Sequence, residues 1–80
     1  MQLIAQHHYR ILHFSPTVNP VFRQKLMALG LLPGSTFLVE RIAPLGDPLH
    51  IKTTNIDLML RRKDLALLQL ECITISEVSQ

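Results

Sequence analysis

Few side chains in this sequence could carry out acid–base or nucleophilic chemistry, and they are scattered along the chain. There is one cysteine, Cys72, and there are four histidines, His7, His8, His13 and His50. No histidine stands near Cys72 in the sequence, and the adjacent Glu71 is expected on the opposite face of the last strand, so nothing indicates a thiol activated by a base. We expect Cys72 to be a small buried side chain on a strand. The three glycines do not form a phosphate-binding loop, and we predict that the chain is not an enzyme.

Metal ligands are also poorly arranged along the sequence. The histidines could supply nitrogen atoms, and Asp47 and Asp57 could supply oxygen atoms. None of these residues has the helical or short-loop spacing of a metal site built from neighbouring ligands. We therefore expect neither a metal site nor a cofactor.

One short run of charge stands out, Arg61-Arg62-Lys63. It is either a solvated turn or a surface that contacts an acidic face of a partner. No aromatic residues are interleaved with the basic ones, and the net charge is only +2, so nucleic-acid binding is not expected.

Length and composition limit the architecture to a single domain covering residues 1–80. No apolar run approaches the roughly 20 residues needed to span a bilayer. The single cysteine favours a reducing, cytoplasmic setting. Residues 76–80 are expected to be a loose tail. Residues 1–8 either fray or use Leu3 and Ile4 to cover one end of the fold.

The most clearly marked element is an amphipathic helix. Asn19 is a good N-cap, and Pro20 suits the first helical position. Phe22 and Leu26 fall on one face of the helix, and Gly30 can end it in a left-handed conformation.

Most of the remaining sequence has the pattern of short strands. Alternating or β-rich segments separated by turn residues predict five strands, at Tyr9–Phe14, Thr36–Ala43, Leu49–Thr53, Ile56–Leu60 and Leu67–Ile75. A turn with a short helical twist is expected between the last two, at 61–66. In the fourth strand, Ile56, Leu58 and Leu60 are predicted to point inward. Five strands in so small a domain favour a curled, partly open barrel with the helix across one end.

Leu31 and Leu32 are apolar and follow the end of the helix, so they are not part of its apolar face. One is expected to pack under the helix, and the other to lie exposed beside the loop Pro44–Pro48. That arrangement forms an apolar cleft, a common peptide-binding feature; the alternative is that both residues are ordinary core.

Two segments together resemble one family. Residues Arg23–Ser35 (RQKLMALGLLPGS) and Arg41–Ile51 (RIAPLGDPLHI) are similar to the FeoA family, small cytoplasmic accessory proteins of bacterial ferrous iron transport. Residues Leu60–Leu70 (LRRKDLALLQL) add to the resemblance. The resemblance implies an SH3-like β-barrel with one inserted helix.

The resemblance also implies a partner, the FeoB ferrous iron transporter, contacted at its cytoplasmic GTP-binding part or at its membrane part, which would bring this chain to the inner face of the membrane. We therefore expect a non-enzymatic interaction module that binds and regulates FeoB. The candidate partner-binding residues are Leu31, Leu32, Leu45, Asp47, Arg61 and Arg62. A metal-sensing or iron-delivery protein is the alternative hypothesis, and a nucleic-acid accessory module ranks last.

Overall fold

The computed structural model describes residues 2–73 and contains five strands and two helices in that range. In chain order these are β1 (His8–Phe14), α1 (Pro20–Ala28), β2 (Thr36–Ile42), β3 (Leu49–Lys52), β4 (Asp57–Leu60), α2 (Arg62–Leu65) and β5 (Leu68–Ile73). The predicted mainly β architecture with one principal helix is confirmed. The expected end of the last strand at Ile75 and the expected loose tail at 76–80 lie outside the described residues.

The strands form one antiparallel sheet in the order β4-β3-β2-β1-β5. The first strand lies between the second and the last, so the two ends of the fold meet in the sheet. The pairing of β1 with β5 shifts register between Ile11 and His13, and the pairing of β2 with β3 shifts between Val39 and Arg41. Such bulges bend and twist strands, which lets a short sheet curl into the SH3-like barrel expected from the sequence.

The core fills the concave side of this sheet. Tyr9 and Phe37 stack with ring centroids 5.9 Å apart. The largest fully buried side chains are Tyr9, Phe37, Ile11, Leu26, Leu31, Leu49, Ile51 and Val39. Burial of these side chains is the main source of stability in so small a domain.

Helix α1 begins and ends as its sequence predicts. The Asn19 side chain accepts hydrogen bonds from the backbone N–H groups of Val21 and Phe22. At the other end, Gly30 has φ +97°, and the backbone N–H of Leu31 donates to the Leu26 carbonyl at 3.1 Å. This pattern is a Schellman motif, which reverses the chain after the helix. It directs Leu31 into the core, where Leu26 is also buried.

The amino-terminal segment is fastened to the barrel. Leu3 is buried in the core, whereas Ile4 is half exposed. The backbone N–H of Ile4 donates to the Tyr9 hydroxyl at 2.9 Å, and that of Gln6 donates to the Val39 carbonyl at 2.6 Å. Of the two alternatives for this segment, covering one end of the fold is the one observed, and Leu3 does it.

Two predicted core positions are wrong. Cys72 is exposed, although it was expected to be buried, and the buried residue at that end of β5 is Ile73. Ile56 was expected to point inward but is 37% exposed, since it belongs to the turn before β4. Ile56 lies outside β4, and in β5 burial passes from Leu68 and Leu70 to Ile73, so the simple alternation read from the sequence does not hold at either position.

Candidate docking surface

The loop between β2 and β3 is fixed to the start of α2 by a contact between residues far apart in sequence. The Asp47 Oδ1 atom accepts a hydrogen bond from the backbone N–H of Arg62 at 2.8 Å, and the Arg62 Nε atom donates to the Gly46 carbonyl. The N-cap residue of α2, Arg61, provides no side-chain cap. Asp47 therefore caps this helix from another part of the chain.

The capped turn forms a positively charged surface, here called the basic corner, made of Asp47, Arg61, Arg62 and Lys63. All four side chains are exposed, and none of the three basic ones forms an ion pair with another described residue. Leu45, in the same loop as Asp47, is 97% exposed. The corner thus offers unpaired positive charge, and the loop that supplies Asp47 also carries an exposed apolar side chain, a combination suited to protein docking.

A groove of about 490 Å³, here called the edge groove, begins at the basic corner. Arg62, Leu65 and Ala66 line it from α2, Leu3 lines it from the amino-terminal segment, and residues 68–70 line it from β5. Arg62 therefore belongs to both surfaces and connects them.

A second groove of about 390 Å³, here called the turn groove, lies between the end of α1 and the turn connecting β3 with β4. Leu32, which is 41% exposed, lines it together with Leu29, Ser35 and the turn residues 53–55. The prediction that one of Leu31 and Leu32 packs in the core while the other is exposed is confirmed. The predicted neighbour is wrong, because Leu32 borders the turn 53–55 and not the loop Pro44–Pro48. The chain reversal at Gly30 and Gly34 aims Leu32 in that direction.

The histidines do not assemble a metal centre in the described part of the chain. Within residues 2–73 no three His, Cys, Asp or Glu side chains come close enough to hold an ion together. His50 Nδ1 lies 3.9 Å from Glu40 Oε1, and His7 Nδ1 lies 3.9 Å from Cys72 Sγ. These are surface pairs, and a tetrahedral or octahedral site needs further ligands.

Comparison with known proteins decides the family. Residues 2–72 match the model of the FeoA domain. This chain belongs to the FeoA family. The fold and the motifs that led to that expectation agree with the match.

This chain is similar to proteins from several bacteria. Over 59 residues, 74% of the chain, it is 34% identical to a fusion of Fe(2+) transport protein A with the Fe(2+) transporter FeoB from Porphyromonas gingivalis. It spans 7% of that fusion protein's length.

Solved structures support the same assignment. A Pseudomonas aeruginosa protein is 49% identical with a TM-score of 0.70, over 90% of this chain and 96% of that one. The FeoA protein of Chlorobium tepidum is 29% identical with a TM-score of 0.81, over 91% of this chain and 68% of that one.

On the FeoA fold, the six candidate partner-binding residues do not form one surface. Leu31 is 1% exposed and belongs to the core, so its prediction as a contact residue is wrong. Leu32 lies in the turn groove. Asp47, Arg61 and Arg62 form part of the basic corner, and Leu45 lies in the same loop as Asp47.

Sequence reasoning missed the edge groove. The alternation of Leu68, Gln69 and Leu70 predicted a strand correctly, but alternation does not tell whether a strand lies at the edge of a sheet.

None of the helices among the described residues is long and apolar enough to cross a membrane.

Proposed function

We propose that this protein is a non-enzymatic cytoplasmic module that binds the FeoB ferrous iron transporter and regulates Fe2+ uptake. The observation that carries the proposal is family membership together with the relative in which transport protein A and FeoB are one polypeptide. Linking two modules in one chain raises the effective concentration of each for the other, which is useful when they act together.

The surface properties support binding as the activity. The basic corner presents three exposed cations whose charges are not neutralised by ion pairs with described residues. The capping contact from Asp47 restrains the backbone of this corner, which reduces the conformational entropy lost on docking. An acidic face on the cytoplasmic part of FeoB is the complement that this corner fits.

The side chains most able to react are not arranged for catalysis. Cys72 Sγ and His7 Nδ1 are 3.9 Å apart on the surface, and no described carboxylate orients the imidazole. A nucleophile activated by a base needs both a close hydrogen bond and a group that orients the base. A binding role requires neither that hydrogen bond nor that orienting group.

Regulation then follows from preference for one state of the transporter. A module that binds one conformation of FeoB more tightly than another shifts the population toward that conformation, by no more than the difference in binding free energy. No reaction by the module itself is required.

Site-specific photo-crosslinking in cells that contain FeoB tests this proposal. A photoreactive residue at Leu45 or Arg61 should form an adduct with FeoB, whereas one at Val21, which is 76% exposed on α1, is the matched surface control. Absence of any FeoB adduct from both Leu45 and Arg61, with the protein folded and expressed, would contradict the proposal.

A further inference from the structure

Strand β5 has a free edge whose backbone groups lack partners among residues 2–73. The Ile11 N–H donates to the Ser35 carbonyl, and the Ile11 carbonyl accepts from the Gly34 N–H, so both groups point away from β5. Ile11 is paired with Leu70 across the two strands. Because such a pair exchanges no hydrogen bonds in an antiparallel ladder, the Leu70 N–H and C=O point outward from the sheet. By the two-residue period of the ladder, those of Leu68 and Cys72 also point outward.

The edge groove runs along this free edge. Its lining includes the three consecutive residues 68–70, and successive side chains of a strand point to opposite faces. Lining by three successive residues is what a groove along the edge of their backbone would have. Leu3, Leu65 and Ala66 line the opposite wall, and Arg62 places a positive charge at the α2 side.

We propose that an extended acidic segment of a partner protein adds to β5 as a sixth strand. Its backbone would pair with the outward groups of Leu68, Leu70 and Cys72, its apolar side chains would enter the edge groove, and an acidic side chain would meet Arg62. Identifying the partner as FeoB rests on the function proposed above; the strand-acceptor site itself does not.

Charge favours an acidic segment of a partner over a second copy of this chain as the sixth strand. A second copy of this chain has a net charge of +2 and so has no excess of negative charge to offer Arg62. An acidic segment instead neutralises Arg62, which has no ion-pair partner within the described structure. The groove and the basic corner share Arg62, so one partner can use both.

The first test is a titration of the isotope-labelled full chain, monitored by backbone amide NMR. The probe is a short, end-capped peptide of alternating Val and Glu; its controls carry Lys in place of Glu, or Pro at alternate positions. We expect the Val–Glu peptide to shift the amides of Leu68, Leu70 and Cys72, and both controls to do so far less. Equal shifts with all three peptides, or none at β5, would overturn the proposal. Two further results would overturn it. One is a change in the β5 amide shifts when the chain alone is diluted, which indicates self-pairing. The other is contacts from residues 74–80 that occupy the site.

The second test measures binding to full-length FeoB in lipid nanodiscs. Cys72→Pro removes an outward N–H at an exposed position, which an edge strand tolerates. The matched control is Met59→Pro on the other edge strand, β4. The Thr53 N–H donates to the Ile56 carbonyl, and from that pair the β3–β4 ladder alternates between hydrogen-bonded and non-hydrogen-bonded pairs. Met59 belongs to a non-hydrogen-bonded pair, so its N–H also points outward, and Met59 is 59% exposed. We expect Cys72→Pro to weaken binding by about tenfold, as loss of one hydrogen bond implies, and Met59→Pro to leave it unchanged.

The two tests separate this inference from the proposed function. If wild type binds FeoB, and both Cys72→Pro and the peptide titration have no effect, the sixth-strand inference fails and the function stands. If the peptide shifts β5 but wild type does not bind FeoB, the strand-acceptor site stands and the function fails. Thermal melts of the two proline variants should agree, which confirms that any difference in binding is local.

Discussion

The Asp47 carboxylate caps the backbone N–H of Arg62, 15 residues later in the chain, at 2.8 Å. This hydrogen bond joins the β2–β3 loop to α2 and sets the shape of the basic corner. It also explains how a helix of four residues begins without a capping side chain of its own.

Replacing Asp47 should therefore weaken both the corner and the fold. We expect Asp47→Ala to lower the free energy of unfolding by about 1 kcal/mol, the usual consequence of losing a helix cap. Asp47→Asn keeps an oxygen acceptor and should lose clearly less. Urea denaturation of the two variants measures the difference, and equal losses would show that the cap does not stabilise the protein.

Gly30 is the residue where α1 ends, and its backbone has φ +97°. An L-residue with a Cβ atom is strained there, so Gly30→Ala should destabilise the protein by about 1–2 kcal/mol. Apart from Gly30 itself and its two chain neighbours, no residue has an atom within 4 Å of a Cβ added at Gly30, so the effect isolates backbone strain from steric collision. Gly30→Asn, which tolerates this conformation better, should recover part of the loss in the same urea titration. A neutral Gly30→Ala would be inconsistent with the left-handed conformation.

Leu31 and Leu32 are adjacent but should respond in opposite ways to truncation. Leu31 is 1% exposed, so Leu31→Ala should cost about 2–5 kcal/mol and unfold a large share of so small a domain. Leu32 is 41% exposed, and Leu32→Ala should cost less than about 1 kcal/mol. Thermal and urea unfolding of both variants checks this order, and the reverse order would contradict the chain reversal at Gly30.

These examples show which parts of the structure the sequence could predict. The cap at Asn19, the stop at Gly30 and the five strands depend on neighbouring residues, and local patterns identified them. The burial of Cys72 and Ile56 was wrong because it depends on where the curled sheet stops covering its strands. The Asp47–Arg62 contact and the free edge of β5 are also non-local, since each is created by residues that meet only after the sheet has closed.

The cations of the basic corner should control how fast the protein finds its partner. Charge reversal at Arg61, which is exposed and makes no side-chain cap, should reduce the association rate with FeoB and flatten its dependence on salt. Charge reversal at Arg23, on the exposed side of α1, is the matched control and should change neither. Surface-plasmon or interferometry traces at several salt concentrations measure the association rate and its salt dependence. Equal effects at the two positions would show that the basic corner does not steer association.

The most direct test is the equilibrium binding of this chain to full-length FeoB in lipid nanodiscs at moderate salt. We expect saturable binding with a Kd in the range of about a micromolar, typical of a transient regulatory contact, and weaker binding for Arg61→Glu. No saturable binding up to concentrations far above that range, with both proteins folded, would contradict it.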